Sequence, residues 1–358
     1  MHSALSLNIL TIDLEDYFMV SAFEDVVRRE NWDKYECRVE RNTNRLLDIL
    51  LSPDASRLSP SASRLTPHGS VRATFFVLGW VAERYPHLIK EIQSHGHEIA
   101  CHGYAHKVIY NQTKEEFRSD IRKAKVVLED ITGDEVIGYR APSYSITNRS
   151  QWAFEILIEE GFKYDSSIFP IHHDFYGFPS APRFPFIISL NGNSNFEFSM
   201  LNFEFNTTAL NNSSTAARQH SSTAAQQNSI TTAQQQVFSS NTLHLAPCVT
   251  KTLIEFPLST TRLLGQNLPI SGGGYFRLFP YPLIKKGLKR INEKEGKPFI
   301  FYLHPWELDF EQPKIYGIGI RSKFRHYINL SKTEGKFKSL LMDFNFSSVK
   351  EIIKSITQ

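Results

Sequence analysis

The chain has 358 residues, of which 41% are hydrophobic and 13% aromatic, so it can bury a large core. Its 40 basic and 37 acidic residues nearly balance, and a formal net charge of +3 offers no electrostatic basis for binding nucleic acid or an anionic membrane surface. No apolar run reaches the roughly 18 residues that would span a bilayer, and the amino-terminal sequence lacks a basic start, so we expect a cytoplasmic protein.

Short apolar runs alternate with amphipathic segments along the chain. We expect buried strands at 7–12, 71–77, 97–101, 136–139, 162–164, 253–256 and 299–303. A capping box of Thr113 and Glu116 opens a helix with one apolar face that ends at Gly133, and a second helix over 151–160 ends at Gly161. This alternation is typical of a parallel α/β sheet or barrel, in which reactive residues belong at the carboxyl ends of strands.

Two segments interrupt this pattern. Residues 51–70 contain near-copies of a Ser-Pro or Thr-Pro heptad, and residues 206–241 are rich in Asn, Ser, Thr, Ala and Gln. Neither segment has an apolar face or chemistry of its own, so we interpret both as flexible insertions rather than as partner-binding segments.

Two histidines, His102 and His106, directly follow the third predicted strand. At a spacing of four residues they would lie on one side of a helical turn, where both imidazoles could reach one zinc ion or another first-row metal. The pair alone is weak evidence, because histidine pairs of purely structural role are common. The three cysteines, Cys37, Cys101 and Cys248, are too far apart to predict a thiolate zinc site or a disulfide framework.

Three carboxylates, Asp13, Glu15 and Asp16, follow the first apolar run. A helix amino terminus would explain Glu15 and Asp16, because acidic groups there favour the helix dipole. It explains Asp13 less well, since this residue still belongs to the strand pattern and a buried carboxylate needs a compensating cation. Carboxylates and histidines around one metal would make a hydrolytic site, in which a second carboxylate accepts the proton of the attacking water.

Single polar residues end three further strands. His304 follows the strand at 299–303, Arg140 follows the strand at 136–139, and Asp165 follows the strand at 162–164. Considered singly, His304 could be a hydrogen-bonded structural histidine and Asp165 a turn residue. Arg140 could pair with a site carboxylate and lower its pKa.

Together these clusters resemble those of the NodB-type polysaccharide deacetylases, carbohydrate esterase family four, and more closely the branch associated with exosortase and exopolysaccharide loci. The segments that carry the resemblance are TIDLEDYF, ATFFVLGWVAERYP, HGHEIACHGYAH, GYRAPSYSI, YDSSIFP, EFPLST, GGGYFRLFPY and FYLHPWE. The resemblance implies a distorted (β/α) barrel over residues 1–310, and residues 311–358 resemble an extension that we expect to pack on the barrel.

The resemblance also implies roles for individual residues. Asp13 matches the general base, His102 and His106 the metal ligands, His304 the general acid, and Arg140 the residue that orients the base. Asp165 would support Arg140, and the backbone N–H of Ser143 would help to stabilise the oxyanion. The metal would be zinc first, with cobalt, nickel or iron as alternatives.

The chain departs from the family pattern at two places. The usual first motif has adjacent aspartates, whereas this chain has Asp-x-Glu-Asp; Glu15 shares strand parity with Asp13, but Asp16 keeps the residue type, and we slightly favour Asp16 as the ligand. The third motif usually ends Pro-Pro-Tyr, whereas this chain reads Ala141-Pro142-Ser143. Tyr17, Tyr144 and Trp306 are aromatic residues that could stack on sugar rings or pack at the barrel rim, and we weigh the two roles equally.

The function that follows is metal-dependent removal of N-acetyl groups from amino sugars of a polysaccharide or lipid-linked oligosaccharide, in exopolysaccharide biosynthesis. Association with an exopolysaccharide assembly complex is compatible with it. Two alternatives stay open: an amidase that acts on small cyclic amides, and a non-catalytic carbohydrate-binding relative.

Overall fold

The computed structural model of the chain describes residues 7–51, 71–173, 175–190, 196–201 and 251–357. Residues 52–70 of the first predicted insertion and the whole of the second, 206–241, lie outside the described residues. Their predicted flexibility therefore stays a prediction.

The described residues form twelve strands and ten α-helices, together with short 3-10 turns. The strands are β1 (Leu7–Leu14), β2 (Thr74–Val77), β3 (Glu98–Cys101), β4 (Gly138–Tyr139), β5 (Tyr164–Asp165), β6 (Phe186–Leu190), β7 (Phe196–Met200), β8 (Thr252–Glu255), β9 (Thr260–Leu263), β10 (Gln266–Pro269), β11 (Ile300–Leu303) and β12 (Asn345–Ser347). The helices are α1 (Val39–Leu51), α2 (Gly79–Arg84), α3 (Pro86–Ser94), α4 (Lys114–Thr132), α5 (Trp152–Glu159), α6 (Gly273–Leu278), α7 (Tyr281–Lys294), α8 (Ile320–Tyr327), α9 (Leu330–Asp343) and α10 (Val349–Thr357).

One large sheet runs in the order β11-β1-β2-β3-β4-β5-β8-β6-β7, and its pairs from β11 to β8 are parallel. Hydrogen bonds link the loops that follow β8 to β11: Ile300 N donates to Ser259 Oγ at 2.8 Å, and Tyr302 N donates to Ser271 O at 2.8 Å. The sheet thus closes into a barrel, and at the closure single hydrogen bonds replace a complete strand pair. This confirms the predicted α/β class and the distorted (β/α) barrel.

Side chains that alternate along the strands pack into two separate hydrophobic cores. On β1, Leu10, Ile12 and Leu14 pack in the layer between sheet and helices, whereas Ile9 packs inside the barrel. Because side chains alternate along a strand, Asp13 shares the interior face with Ile9. The two-residue period therefore sends one set of β1 side chains into apolar packing and the other set towards the barrel axis.

All seven predicted strands are present, with bounds that differ by a few residues, and β1 extends through Asp13. Helix α4 has the predicted capping box, and Gly133 ends it with a positive φ of 70°. Sequence analysis missed β6, β7, β9, β10 and β12, although β7 (FEFSM) alternates apolar and polar residues with the period of a strand.

The carboxyl-terminal segment takes part in the barrel itself. β12 pairs in parallel with the beginning of β1, and Val349 and Ile352 of α10 are buried in the interior core. Lys350 N donates to the carboxylate of Glu98 at 2.8 Å, at the first residue of β3. The predicted extension thus closes the amino-terminal end of the barrel, and the proposed boundary at residue 310 stays a prediction. Of the helices in the described ranges, none has the length and apolar character required to cross a bilayer, and the cytoplasmic location also stays a prediction.

Candidate metal centre and active site

The carboxyl ends of four strands bring most of the predicted residues together. Asp13 and Glu15 come from the end of β1, His102 follows β3, Arg140 follows β4, and His304 follows β11. All are buried except His304, whose side chain is 16% exposed. Since these strands are parallel, their carboxyl ends meet at one end of the barrel, as the sequence predicted.

Glu15, His102 and His106 form a buried cluster whose ligand atoms lie within 4.8 Å of one another. Glu15 Oε2 lies 2.7 Å from His106 Nε2, yet among the described residues it makes no hydrogen bond. A buried carboxylate oxygen that faces two imidazoles without a donor is the arrangement that a bound cation would satisfy. The donor set of two nitrogens and one oxygen suits zinc and other first-row metals.

The protonation states of the cluster also suit a metal. His102 Nδ1 lies 2.8 Å from the carbonyl oxygen of Arg140, which can only accept, so Nδ1 carries the proton and the lone pair of Nε2 is free. Burial lowers the pKa of His102 to about 4, which keeps the ring neutral. Burial alone would raise the pKa of Glu15, but His106, His304 and His102 lower it to about 2.

The segment that carries the two histidines is a loop, so the helical turn expected from their spacing is wrong. Asp120 of α4 accepts hydrogen bonds from Tyr104 N at 2.7 Å and Ala105 N at 3.3 Å. Arg29 donates to the carbonyl oxygen of His106 at 3.0 Å. These contacts replace the backbone hydrogen bonds of a helix and fix the direction of His106.

Asp16 does not reach the cluster, although we slightly favoured it as the ligand. Its Oδ2 accepts from Arg38 N at 2.5 Å and from Val39 N at 2.9 Å, and its Oδ1 accepts from Tyr17 N at 2.8 Å. These donors belong to the amino terminus of α1 and to the turn after β1. The preference for Asp16 is therefore corrected in favour of Glu15, because only Glu15 has the strand parity that faces the barrel interior.

Arg140 is fully buried and holds Asp13. Its Nη1 donates a hydrogen bond to Asp13 Oδ1 at 2.7 Å, and the hydroxyl of Tyr144 donates a hydrogen bond to Asp13 Oδ2 at 3.2 Å. Burial would raise the pKa of Asp13, but Arg140, His102 and His304 together lower it. Asp13 is thus ionised at neutral pH and can accept a proton.

Asp165 makes neither a hydrogen bond nor an ion pair with Arg140, which corrects the expected supporting role. Arg140 donates instead to Ser166, through Nε to the carbonyl oxygen at 2.9 Å and through Nη2 to the hydroxyl at 2.7 Å. Asp165 accepts from the Ser167 hydroxyl at 2.5 Å. Its neighbour across the sheet is Glu255, so the two residues form a buried acidic pair on β5 and β8.

His304 faces both carboxylates of β1. Its Nε2 lies 3.5 Å from Glu15 Oε1 and 3.9 Å from Asp13 Oδ2, and its Nδ1 lies 2.7 Å from Glu307 Oε1. The other oxygen of Glu307 pairs with Arg277. Burial lowers the pKa of His304, but the carboxylates of Glu15, Glu307 and Asp13 outweigh it and raise the pKa to about 9. His304 is therefore protonated at neutral pH and can act as an acid.

The residues predicted to meet substrate divide into two groups. Ser143 is half-buried with a φ of 52°, and its hydroxyl donates at 2.8 Å to Ser21, whose oxygen lies 3.4 Å from His106 Nδ1. Tyr17, Tyr144 and Trp306 are all buried, at 1%, 7% and 4% exposure, so the structure favours packing over sugar stacking for each of them.

Glu307, Arg277 and Ser166 contribute to the site, and sequence analysis missed them. Glu307 had a signal, since it lies three residues after His304 with proline between, at the spacing of a capping box. Arg277 had none, because its partner lies 30 residues away in sequence. Ser166 was visible only as the neighbour of Asp165.

Comparison with known families supports this description. Residues 56–157 match the family model described as polysaccharide deacetylase, and residues 221–354 match a domain of unknown function, DUF3473. The first match is a likeness of the segment that carries His102, His106 and Arg140 to that family, and it leaves out Asp13, Glu15 and His304. The second covers Arg277, His304 and most of the carboxyl-terminal segment.

Curated relatives match over part of the chain. The chain is 34% identical over 103 residues to a peptidoglycan deacetylase of Helicobacter pylori, covering 29% of this chain and 33% of that protein. It is 36% identical over 87 residues to a peptidoglycan-N-acetylglucosamine deacetylase of Bacillus cereus, covering 24% of this chain and 32% of that protein. The matched stretch thus spans about a third of each relative's length.

A solved structure matches over nearly the full chain. A Mycobacterium smegmatis protein assigned to the polysaccharide deacetylases superposes with a TM-score of 0.51 at 15% identity, covering 99% of this chain and 92% of that one. At this identity the likeness shows the fold.

Proposed function

We propose that this chain is a metal-dependent hydrolase that removes N-acetyl groups from amino sugars of a polysaccharide or a lipid-linked oligosaccharide and releases acetate. The observation that carries the proposal is the buried cluster of Glu15, His102 and His106 beside an ionised Asp13 and a protonated His304. The deacetylase names of the partial relatives support the reaction class.

Glu15, His102 and His106 would hold the metal, with zinc favoured by the mixed nitrogen and oxygen donors. A divalent ion bound there would polarise an acyl carbonyl and lower the pKa of a water. The family's metal dependence and the unsatisfied Glu15 Oε2 support this assignment.

Asp13 would act as the general base. It is ionised, it is held in place by Arg140 and Tyr144, and it lies at the same end of the barrel as the three ligands. As water attacks the acetyl carbon, Asp13 accepts one of its protons. The positive charge of Arg140 keeps the carboxylate ready for this step by favouring its ionised form.

His304 would act as the general acid. When the tetrahedral intermediate collapses, the carbon–nitrogen bond breaks and the amine must gain a proton, which the protonated His304 can supply from Nε2. Glu307, backed by Arg277, holds the ring by Nδ1 and keeps Nε2 directed at the carboxylates of β1. A backbone N–H at Ser143 would help to stabilise the oxyanion.

We propose that the protein acts in exopolysaccharide biosynthesis and that it associates with an exopolysaccharide assembly complex. This rests on the sequence resemblance to the exosortase-associated branch. The glycan itself would be identified by the substrate panel below.

Acetate release tests the proposal. Purified protein is assayed on chitooligosaccharides, peptidoglycan fragments and other N-acetylated glycans, with and without a chelator, and its metal content is measured. We expect metal-dependent acetate release from at least one glycan, and loss of stoichiometric metal from the His102→Ala/His106→Ala double variant. Turnover of cyclic ureides in place of glycans would favour the cyclic-amide amidase, and metal binding without any turnover would favour a binding protein.

A further inference from the structure

Trp306 links the candidate metal centre to the carboxyl-terminal segment. Its indole stacks on His304, at a ring-centroid distance of 5.1 Å, and on His326 of α8, at 4.3 Å with an interplanar angle of 13°. Its Nε1 donates to Glu15 Oε1 at 3.3 Å. One indole thus touches the acidic residue of the metal cluster, the proposed acid and a histidine from 20 residues further along the chain.

The orientation of His326 is determined by Gln312. The amide nitrogen of Gln312 donates to the carbonyl oxygens of Trp306 at 3.0 Å and Asp309 at 2.8 Å, so its amide oxygen is left as the acceptor. That oxygen lies 2.7 Å from His326 Nε2, which must therefore carry the proton. Both side chains are buried, at 4% exposure, and burial lowers the pKa of His326 well below its usual value.

The direction of the indole matters for Glu15. The indole donor fixes Oε1, which leaves Oε2 facing His106 Nε2 at 2.7 Å. If the indole tilted, the Glu15 carboxylate would lose this donor and could rotate away from the two imidazoles. Partners that orient a metal ligand in this way typically contribute about 10- to 100-fold to metal affinity.

We propose that His326 and Gln312 are positioning residues that hold Trp306, and through it direct Glu15 towards the metal position and keep His304 in place. The proposal rests on the proposed metal centre and goes beyond it by giving the carboxyl-terminal segment a role in the active site. It also distinguishes positioning from packing, because a residue that only fills the core would change stability without changing metal affinity.

Cobalt titration of the metal-free full-length protein tests the proposal, with the dissociation constant and the d–d absorption spectrum as readouts. We expect His326→Ala to weaken Co²⁺ binding by about 10-fold or more and to change the spectrum. His326→Phe keeps a flat ring against the indole and should retain most of the affinity. Gln312→Ala removes only the hydrogen bond and should give an intermediate loss.

His97→Ala is the matched control. His97 is also a buried histidine packed against an aromatic ring, Phe75, at a ring-centroid distance of 5.0 Å and an interplanar angle of 55°, but it lies next to the amino-terminal end of β3, away from the cluster. We expect this variant to lose stability and to keep wild-type Co²⁺ affinity.

The outcomes separate the two hypotheses. A folded His326→Ala variant with wild-type affinity and spectrum would overturn the positioning role while leaving the proposed function intact. If His326→Ala does not fold, unchanged affinity in Gln312→Ala would overturn it equally. A wild-type protein that binds no Co²⁺ would overturn the metal centre, and this inference with it.

Discussion

Glu15 and Asp16 are adjacent in sequence and point to different parts of the molecule. Glu15 faces His106 across 2.7 Å inside the barrel, whereas Asp16 accepts hydrogen bonds from the backbone at the start of α1. One carboxylate is thus placed for a metal and the other for holding a helix.

This difference predicts opposite effects for two conservative variants. Glu15→Gln should lose stoichiometric metal, because an amide is a poorer ligand than a carboxylate, and should keep near wild-type thermal stability. Asp16→Asn should keep its metal and lose about 1 kcal/mol of stability, because both oxygens of Asp16 accept from backbone N–H groups and the amide offers only one acceptor oxygen. Metal analysis and thermal melts of both variants would check this, and metal loss in Asp16→Asn alone would contradict the assignment.

Asp13→Asn should remove activity without removing metal. The amide cannot accept the proton of the attacking water, so we expect kcat to fall by about 100- to 10,000-fold. Arg140 would keep an oxygen acceptor, which limits structural damage. Acetate release and metal content are measured on the same preparation, and retained deacetylation in the variant would rule out Asp13 as the base.

The pH dependence of turnover should respond to Glu307. His304 must be protonated to act as an acid, so activity falls as pH rises through its pKa, which the surrounding carboxylates raise to about 9. Glu307→Gln removes one of these negative charges, which lowers that pKa and moves the alkaline limb of kcat to lower pH. Glu311→Gln, at an exposed glutamate of the same loop, is the control. An alkaline limb that stays in place in a folded Glu307→Gln variant would exclude this role.

The buried pair of Asp165 and Glu255 predicts an effect on stability. Burial and the neighbouring Asp165 raise the pKa of Glu255 well above its ordinary value. Between the ordinary pKa of glutamate and this raised value, the unfolded chain binds fewer protons than the folded one, so stability falls as pH rises. Glu255→Gln cannot ionise and can still accept from Ile168 N, which donates to Glu255 at 2.9 Å.

We therefore expect the melting temperature of Glu255→Gln minus that of wild type to increase as pH rises from the ordinary pKa of glutamate to the raised pKa of Glu255. Thermal melts at several pH values measure it. Glu293→Gln removes a charge at an exposed helix position and should show no such trend. A constant difference between wild type and Glu255→Gln at every pH would mean that Glu255 is not protonated in the folded protein.

Sequence periodicity determined the parts of the site that depend on a single element. The two-residue alternation of β1 placed Asp13 and Glu15 on one face, and the apolar runs located the strands whose ends carry His102, Arg140 and His304. These features follow from local backbone geometry, so they could be predicted without knowing what lies opposite.

Contacts between distant segments decided the rest. The role of Asp16 depends on where the start of α1 lies, and the support of Arg140 depends on the path of the chain after β5. Trp306 is buried rather than exposed because α8 places His326 over it. Hydrophobic and hydrogen-bond patterns report whether a residue is buried and not which partner buries it, so the choice between ligand, base support and packing required the tertiary structure.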